Sequence, residues 1–284
     1  MKVFSSIIEI RKYLDEQSES QLIIGFVPTM GALHQGHLSL IEQSKKNCDL
    51  TICSIFVNPT QFNDKKDYDK YPTQLDADLE MLIAAGCDVV FVPSVDEMYP
   101  KGTTSELLSV DLSFLGKTLE AEKRPGHYEG VIQIVKKLLD IVQPNLLFLG
   151  QKDYQQCMVI QKLIDNFNIP TKIVICATKR EVDGLAMSSR NVRLSDDTRK
   201  IATKLYQALV DIQNRFKTEN IEQIIAENIQ FLNQDNWIET EYLVVVNGKT
   251  LEPIFEYNEQ IPITVLIAAK VGEVRLIDNL ILQV

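Results

Sequence analysis

The fold is decided by the stretch LIIGFVPTMGALHQGHLSLIEQSKK at residues 22–46. It opens with a short apolar run and closes with apolar residues at helical spacing, so it predicts a strand, a turn and the start of a helix. The turn holds His34 and His37, two of the three histidines in the chain. Because a helix N-terminus carries partial positive charge, we expect imidazoles and bare backbone N–H groups to collect there and bind phosphate.

Short apolar runs alternate with helical patterns through the first 176 residues. The strand-like runs cover residues 22–27, 50–57, 89–92, 145–149 and 172–177, and helical spacing covers residues 75–85, 130–142 and 154–167. Strands that are apolar on both faces and alternate with helices predict an α/β fold with a Rossmann-like, doubly wound parallel sheet. Ligands of such sheets bind at the carboxyl ends of the strands, so the loops that follow the strands are the candidates for chemistry.

The pattern changes after residue 191. Ser195 is a predicted helix N-cap because two acidic residues follow it, and a second helical pattern covers residues 221–232. Three strand-like runs follow, at residues 242–246, 263–269 and 273–282. Helices followed by strands predict a smaller α+β domain with an antiparallel sheet. We therefore expect a catalytic domain at residues 1–178 and a smaller C-terminal domain at residues 179–284.

Composition excludes several classes of protein. The 284 residues carry a net charge of −10, which argues against a general nucleic-acid binder. The five cysteines are scattered and show no metal-binding spacing, so we expect buried, reduced thiols. Residues 1–16 are charged and helix-periodic, unlike a signal peptide, and no apolar run reaches the roughly 18 residues that span a membrane. We expect a cytoplasmic protein with no membrane partner.

Two loops carry side chains suited to a polar substrate. In FVNPTQF at residues 56–62, the amides of Asn58 and Gln61 can bind a hydroxyl or a carboxylate. The stretch KRPGHYEG at residues 123–130 offers cations and the third histidine before a helix. The plain alternatives are a proline-containing turn and a surface loop, respectively.

Two other loops carry groups suited to phosphates. Lys152 offers a point positive charge, and Gln156 is expected to face the same cleft. The two hydroxyls and the arginine of SSR at residues 188–190 suit triphosphate oxygens. The alternatives here are a helix cap at Asp153 and a polar linker at residues 180–191.

Taken together, these segments resemble the pantoate–beta-alanine ligase family, which belongs to the HxGH nucleotidyltransferase superfamily. The matching segments are PTMGALHQGH (28–37), FVNPTQF (56–62), DYDKYP (67–72), KRPGHYEGV (123–131), FLGQKDYQQ (148–156) and REVDGLAMSSRN (180–191). In the C-terminal third the match is mainly RLIDN (275–279). The resemblance implies that ATP first activates pantoate as an adenylate, and that beta-alanine then attacks the acyl carbon. It also implies Mg²⁺ bound to the phosphates, a C-terminal domain that acts as a lid, and a homodimer.

The resemblance also implies roles for individual residues. It assigns ATP binding to Met30, Gly31, Ala32, Leu33, His34, Gln35, Gly36, His37, Gly150, Gln151, Lys152, Asp153, Lys179, Met187, Ser188, Ser189 and Arg190. It assigns the binding of pantoate and beta-alanine to Pro28, Thr29, Asn58, Gln61, Tyr71, Arg124 and Gln156. The catalytic groups are then His34, His37, Lys152 and Arg190, with His37 matching the proton donor.

Two departures from the family pattern concern the site. Gln151 stands where many relatives carry glutamate, which we expect to alter a backbone contact next to an intact Lys152. Ala77 stands where some relatives carry the first of two acids, which leaves Asp78 as a metal contact through water. Alternatively, Asp76 and Asp78 lie on a solvated helix face.

Three other functions fit part of the pattern. Another HxGH adenylyltransferase would attack ATP with a phosphate, but FVNPTQF and the second domain argue against it. A non-catalytic nucleotide-binding module would not need every charge-stabilising group. A zinc site at the histidine pair would need further ligands, and only His127 and carboxylates remain. The pair could also be two ordinary surface histidines.

Overall fold

The structure is a computed structural model, and it describes residues 1–18, 21–62, 68–69, 71–103 and 108–284. The chain forms two compact units. Unit 1 comprises Met1–Gly150 and Val159–Cys176, and unit 2 comprises Gln151–Met158 and Ala177–Val284. Within the described residues, no helix has the length and apolar character needed to cross a membrane.

Unit 1 is built around a six-stranded parallel sheet. Its strands are β1 (Lys2–Phe4), β2 (Ile24–Thr29), β3 (Leu50–Ile55), β4 (Val89–Phe91), β5 (Leu146–Gly150) and β6 (Lys172–Cys176). They lie in the order β1-β4-β3-β2-β5-β6, and every pairing is parallel. The predicted doubly wound sheet is thus confirmed. The strand order reverses between β2 and β5, and ligands of such sheets bind outside the carboxyl ends of the strands at this point.

The helices confirm the predicted alternation with strands. They are α1 (Ile7–Ser18), α2 (Gln35–Asn47), α3 (Leu75–Ala84), α4 (Val95–Met98), α5 (Glu120–Lys123), α6 (His127–Val142) and α7 (Tyr154–Phe167). The residues of α7 are divided between the two units, at Met158 and Val159. The predicted apolar face of α6 is buried. That helix begins three residues before the predicted residue 130.

One strand differs from the sequence prediction. The first 16 residues have helical periodicity, yet Lys2–Phe4 form β1 and pair with β4. Three residues are too few to show a strand pattern, and two of the three side chains are exposed. β1 is therefore defined by its hydrogen-bonded neighbour, whose apolar residues Val89–Phe91 are all buried.

Unit 2 packs two helices on an antiparallel sheet. The helices are α8 (Asp196–Arg215) and α9 (Ile221–Asn233), and the strands are β7 (Ile238–Asn247), β8 (Ile263–Val271) and β9 (Val274–Gln283), in the order β7-β8-β9. The apolar faces of both helices and of the sheet form one core. Ser195 caps α8 as predicted, because its side chain accepts a hydrogen bond from the N–H of Thr198. The predicted α+β character of the C-terminal region is confirmed.

The cysteines are reduced, as the sequence predicts. All five are free, and all but the half-buried Cys48 are buried. Burial raises the pKa of Cys87 to about 12 and that of Cys176 to about 11, and it also raises the pKa of Cys53 well above its usual value. A thiol in this state holds little of the reactive thiolate at neutral pH.

We therefore expect slow alkylation of the native protein. At pH 8, iodoacetamide should modify Cys48 first and leave the four buried thiols largely unmodified, because they are protonated and shielded. Mass spectrometry of the intact protein counts the modified residues. The control is the urea-unfolded chain, in which all five should react within the same time. Rapid modification of Cys53 or Cys87 in the folded protein would contradict the burial described above.

Candidate functional site

The loop between β2 and α2 turns sharply at Gly31 and Ala32, whose φ angles are +79° and +50°. A side chain at Gly31 would be strained by this angle, and its Cβ would lie 2.9 Å from Oδ2 of Asp78 and 3.1 Å from Cγ2 of Ile55. The N–H of Gly31 donates to Oγ1 of Thr29 at 3.2 Å. The loop therefore needs glycine at residue 31.

Asp78 on α3 holds this loop. Its Oδ2 accepts the N–H of Ala32 and its Oδ1 accepts the N–H of Leu33, both at 2.8 Å. The residue is only 1% exposed, so the solvated helix face expected for it is wrong, whereas Asp76 on the same helix is exposed. The expectation of bare N–H groups is also wrong for Ala32 and Leu33, because a buried carboxylate already occupies them.

His34 and His37 cap the N-terminus of α2 reciprocally. Nδ1 of His34 accepts the N–H of Gly36 at 3.1 Å, and Nδ1 of His37 accepts the N–H of His34 at 3.3 Å. The two ring centroids are 4.1 Å apart. Because Nδ1 is the acceptor in each ring, a neutral imidazole in this geometry carries its proton on Nε2. The cap thus fixes the tautomer of both histidines.

A zinc site at this pair has no support in the part of the chain that the structure describes. No group of three or more His, Cys, Asp or Glu side chains there could hold a metal ion. The third histidine, His127, instead bonds through Nδ1 to the carbonyl oxygen of Gln61 at 3.0 Å.

The side chain of Asn58 has a role different from the predicted contact with substrate. The residue is completely buried, and its Oδ1 accepts the Tyr99 hydroxyl at 2.8 Å. Its Nδ2 donates to Oγ1 of Thr60 at 2.9 Å and to the carbonyl of Gly130 at 3.2 Å. The Asn58 amide therefore fastens the loop after β3 to α6.

This fastening fixes the position of Gln61. The turn Pro59–Gln61 packs so closely on α6 that a Cβ at Gly130 would lie 2.2 Å from the carbonyl oxygen of Thr60. The bond from His127 to the Gln61 carbonyl adds a second attachment. Gln61 itself is partly exposed. Its backbone is thus held rigidly while its side chain stays accessible.

Two other predicted substrate residues lie in unit 1. Tyr71 packs edge-on against Phe62, with ring centroids 5.6 Å apart, and is partly exposed. Arg124 is partly exposed in the loop between α5 and α6. Residues 67 and 70 of the DYDKYP motif lie outside the described residues.

In unit 2, the turn Gln151–Asp153 leads into α7. Nε2 of the buried Gln151 donates to Oδ1 of Asn279 at 3.0 Å, so its side chain is engaged within the protein. Lys152 is mostly buried, with Nζ 3.9 Å from Oδ1 of Asp153. Gln156 is partly exposed on the first turns of the helix.

Residues 179–187 form an ordered hairpin that leads into Ser188–Arg190, so this part of the segment is not an irregular linker. The N–H of Met187 donates to the carbonyl of Lys179 at 3.0 Å, which brings these two predicted ATP-binding residues together. Arg180 forms an antiparallel bridge with Ala186. After the hairpin, Oγ of Ser188 accepts the N–H of Arg190 at 3.2 Å. Arg190 is exposed.

The sequence did not reveal the residues that hold these loops by contacts between segments far apart in the chain. Asp278 binds Arg180 with both carboxylate oxygens, and Asn279 binds the Gln151–Asp153 turn. The only signal in the sequence was their place in RLIDN, which resembles the family but indicates no partner. Tyr99 and its bond to Asn58 gave no signal at all.

The chain is similar throughout its length to one family of proteins. The family model described as "Pantoate-beta-alanine ligase" matches residues 2–281. The pantothenate synthetase of Cytophaga hutchinsonii is 45% identical over 280 residues, which is 98% of each chain. That of Acetivibrio thermocellus is 43% identical over 289 residues and covers 100% of each chain.

Solved structures agree with this similarity. The pantothenate synthetase of Thermus thermophilus superposes with a TM-score of 0.92 at 36% identity, covering 100% of both chains. The pantoate-beta-alanine ligase of Francisella tularensis, complexed with beta-gamma ATP and beta-alanine, gives a TM-score of 0.80 at 38% identity, covering 99% of this chain and 98% of the other.

The role of Asp78 can be tested by a charge-neutral change. Asp78→Asn should lower the free energy of unfolding by about 1–3 kcal/mol, because an amide nitrogen then faces a buried backbone N–H that loses its acceptor. Urea denaturation measures the change. The matched control is Asp76→Asn on the exposed face of the same helix, which should stay within about 0.5 kcal/mol of the unsubstituted protein. Equal losses for the two variants would contradict the role given to Asp78.

Proposed function

The chain belongs to the pantoate-beta-alanine ligase family, and we propose that it joins pantoate to beta-alanine at the expense of ATP. The products are pantothenate, AMP and diphosphate. The observation that carries this conclusion is the full-length family match, supported by the reciprocal histidine cap at the start of α2, in the loop that follows β2.

The chemistry requires two steps. A pantoate carboxylate oxygen first attacks the α-phosphorus of ATP, which forms an acyl–phosphate bond and expels diphosphate. The deprotonated amine of beta-alanine then attacks the acyl carbon, which forms the amide bond and releases AMP. Activation is needed because a free carboxylate is a poor acyl donor, whereas AMP is a good leaving group. Both substrates of the first step are anions, so neutralisation of charge and positioning dominate its catalysis.

The histidine cap supplies donors for this step. With Nδ1 of His34 and His37 accepting backbone N–H groups, the Nε2–H of each ring becomes the donor to phosphate oxygens. His37 is assigned as the proton donor and His34 as its partner in stabilising developing charge. The N–H groups of Ala32 and Leu33 donate to Asp78 and are therefore not donors to phosphate. Met30, Gln35 and the other loop residues are assigned to packing around the nucleotide.

Unit 2 supplies the cations and hydroxyls for the phosphates. Lys152 and Arg190 are the charges, and Ser188 and Ser189 are the hydroxyl donors. Nucleotide contacts are further assigned to Gly150, Gln151, Asp153, Lys179 and Met187. The hairpin supports this assignment because it brings Lys179 and Met187 together and leads directly into the two serines.

Pantoate and beta-alanine are assigned to partly exposed residues, most of which have polar side chains. Gln61 and Gln156 bind pantoate, and Gln61 also lies next to beta-alanine. Pro28, Thr29, Tyr71 and Arg124 complete the set. The rigid turn under Gln61 supports its role, because a carboxamide with a fixed backbone loses little freedom when it binds.

Mg²⁺ is proposed to enter with ATP. The described residues offer no cluster of three or more metal-binding side chains, and both oxygens of Asp78 accept backbone N–H groups. The protein therefore lacks a fitting metal site of its own there, whereas phosphate oxygens and water suit Mg²⁺ well. Asp78 is better assigned to holding the loop than to contacting the metal.

Assembly and location remain part of the proposal. We expect a homodimer in the cytoplasm, with no nucleic-acid or membrane partner. The five free cysteines support the cytoplasmic location, and the net charge of −10 argues against a nucleic-acid partner, whereas the homodimer rests on the family resemblance alone. Sedimentation equilibrium measures the mass of the particle, and a mass of one 32.3 kDa chain at all concentrations would exclude the dimer.

The central test is isotope exchange between ATP and diphosphate. We expect exchange with pantoate and Mg²⁺ in the absence of beta-alanine, because the adenylate forms before the amine is needed. The control omits pantoate and should show no exchange. A strict requirement for beta-alanine would exclude the two-step order. Turnover of phosphopantetheine or nicotinamide mononucleotide in place of pantoate would indicate another adenylyltransferase, and no exchange with any acceptor would indicate a binding module.

The role of His37 is tested with His37→Asn. The Asn oxygen can still accept the N–H of His34 and preserve the cap, whereas the imidazole donor is lost. The single-turnover adenylation rate should therefore fall by roughly 10²-fold or more, while the melting temperature changes little. An unchanged rate would reduce His37 to a helix cap.

A further inference from the structure

Strand β9 carries two adjacent buried polar residues, Asp278 and Asn279, which are 5% and 1% exposed. Successive side chains of a strand point to opposite faces of the sheet. Val274 and Leu276 belong to the core of unit 2, so Asp278 lies on the core side and Asn279 on the other side. Burial of two polar side chains is unfavourable unless each one is fully bonded.

Asn279 is bonded to the turn that carries Lys152. Its Nδ2 donates to the carbonyl oxygens of Gln151 and Lys152, both at 2.9 Å. Its Oδ1 accepts Nε2 of Gln151 at 3.0 Å. Both N–H groups and the oxygen of one carboxamide are thus used on a single turn. The Tyr154 hydroxyl, which donates to the carbonyl of Gly248 at 2.8 Å, adds a second attachment just after the turn.

Asp278 is bonded to the hairpin that leads into Ser188–Arg190. Its two oxygens accept Nη1 and Nη2 of Arg180. The same guanidinium donates to the carbonyl of Gly184 at 3.1 Å and to that of Asn279 at 3.2 Å, and it stacks on the Tyr206 ring at 3.9 Å. Burial raises the pKa of Asp278, while the charges of Arg180 and Lys152 act against that rise.

We propose that Asp278 and Asn279 are positioning residues for ATP, which hold the two phosphate-binding segments of unit 2 from opposite faces of β9. Asn279 acts through Lys152, and Asp278 acts through the segment Ser188–Arg190. The inference rests on the proposed function, which assigns those segments to the phosphates. Both side chains are buried and bonded to protein groups, so in this proposal they act through their neighbours. A displacement of about 1 Å in a positioned group can cost roughly 10²-fold in rate, so such support has a large kinetic effect.

The first experiment compares two buried asparagines of unit 2. Asn279→Ala should lower kcat/KM for ATP in the exchange reaction by roughly tenfold or more, because Lys152 loses its fixed backbone. The matched control is Asn228→Ala, since Asn228 is also buried and bonds to Asp211 and to the carbonyl of Ile224. We expect comparable thermal destabilisation of the two variants, but unchanged kinetics for Asn228→Ala. Equal kinetic losses would overturn the proposal.

Double-mutant cycles test whether Asn279 acts through Lys152 and whether Asp278 acts through Arg190. In a Lys152→Ala background, Asn279→Ala should cost less than about twofold further, because the group it positions is already gone. The same is expected of Asp278→Asn in an Arg190→Ala background. Multiplicative losses in both cycles would overturn the proposal and leave a purely structural role. If Asn279→Ala does not fold, Gln151→Met removes one bond of the same network and enters the same cycle.

Failure of the proposed function has a different signature. It appears in the unsubstituted protein, as absence of exchange with pantoate. Exchange by that protein combined with multiplicative losses in the cycles would retain the function and reject the positioning role.

Discussion

The candidate site depends on one constraint, which is that a loop packed against the sheet must find partners for its backbone N–H groups. The chain leaves β2 and turns at Gly31 and Ala32 through left-handed backbone angles, which turns the next amides inward. The carboxylate of Asp78 accepts two of them. With the loop held in this way, α2 can begin where His34 and His37 cap each other and share one tautomer.

This arrangement changes which groups the helix start can offer to an anion. A helix N-terminus binds anions when its N–H groups are available. Here the N–H groups of Ala32 and Leu33 are neutralised by an internal anion, and those of His34 and Gly36 are taken by imidazoles. The partly exposed imidazoles of His34 and His37 therefore take the place of these amides at the start of the helix. Their chemistry differs from that of amides, because each ring accepts a backbone N–H through Nδ1 and donates through Nε2.

Patterns that are local in the sequence gave correct predictions. The apolar strands of the parallel sheet, the Ser195 cap and the helix–strand order of the C-terminal region each depend on neighbouring residues, and each is present in the structure. The supports of the site depend on residues far apart. Asp78 lies 46 residues from Ala32, Asn58 lies 72 from Gly130, and Gln151 lies 128 from Asn279. No spacing rule connects such pairs, so the sequence alone suggests a substrate contact for Asn58, and for Asp78 a metal contact through water or, alternatively, a place on a solvated helix face.

A contact between residues far apart in the sequence also explains why glutamine fits at position 151. Seen in the sequence, Gln151 is a departure from the family pattern beside Lys152, which the resemblance assigns to phosphate. In the structure its amide nitrogen donates to Oδ1 of Asn279, whose own nitrogen must face the two carbonyls of the turn. That orientation leaves an acceptor pointing at residue 151, and glutamine supplies the matching donor. A carboxylate would bring a second acceptor there unless it were protonated or turned away. The identity of residue 151 is therefore coupled to Asn279 more directly than to the nucleotide.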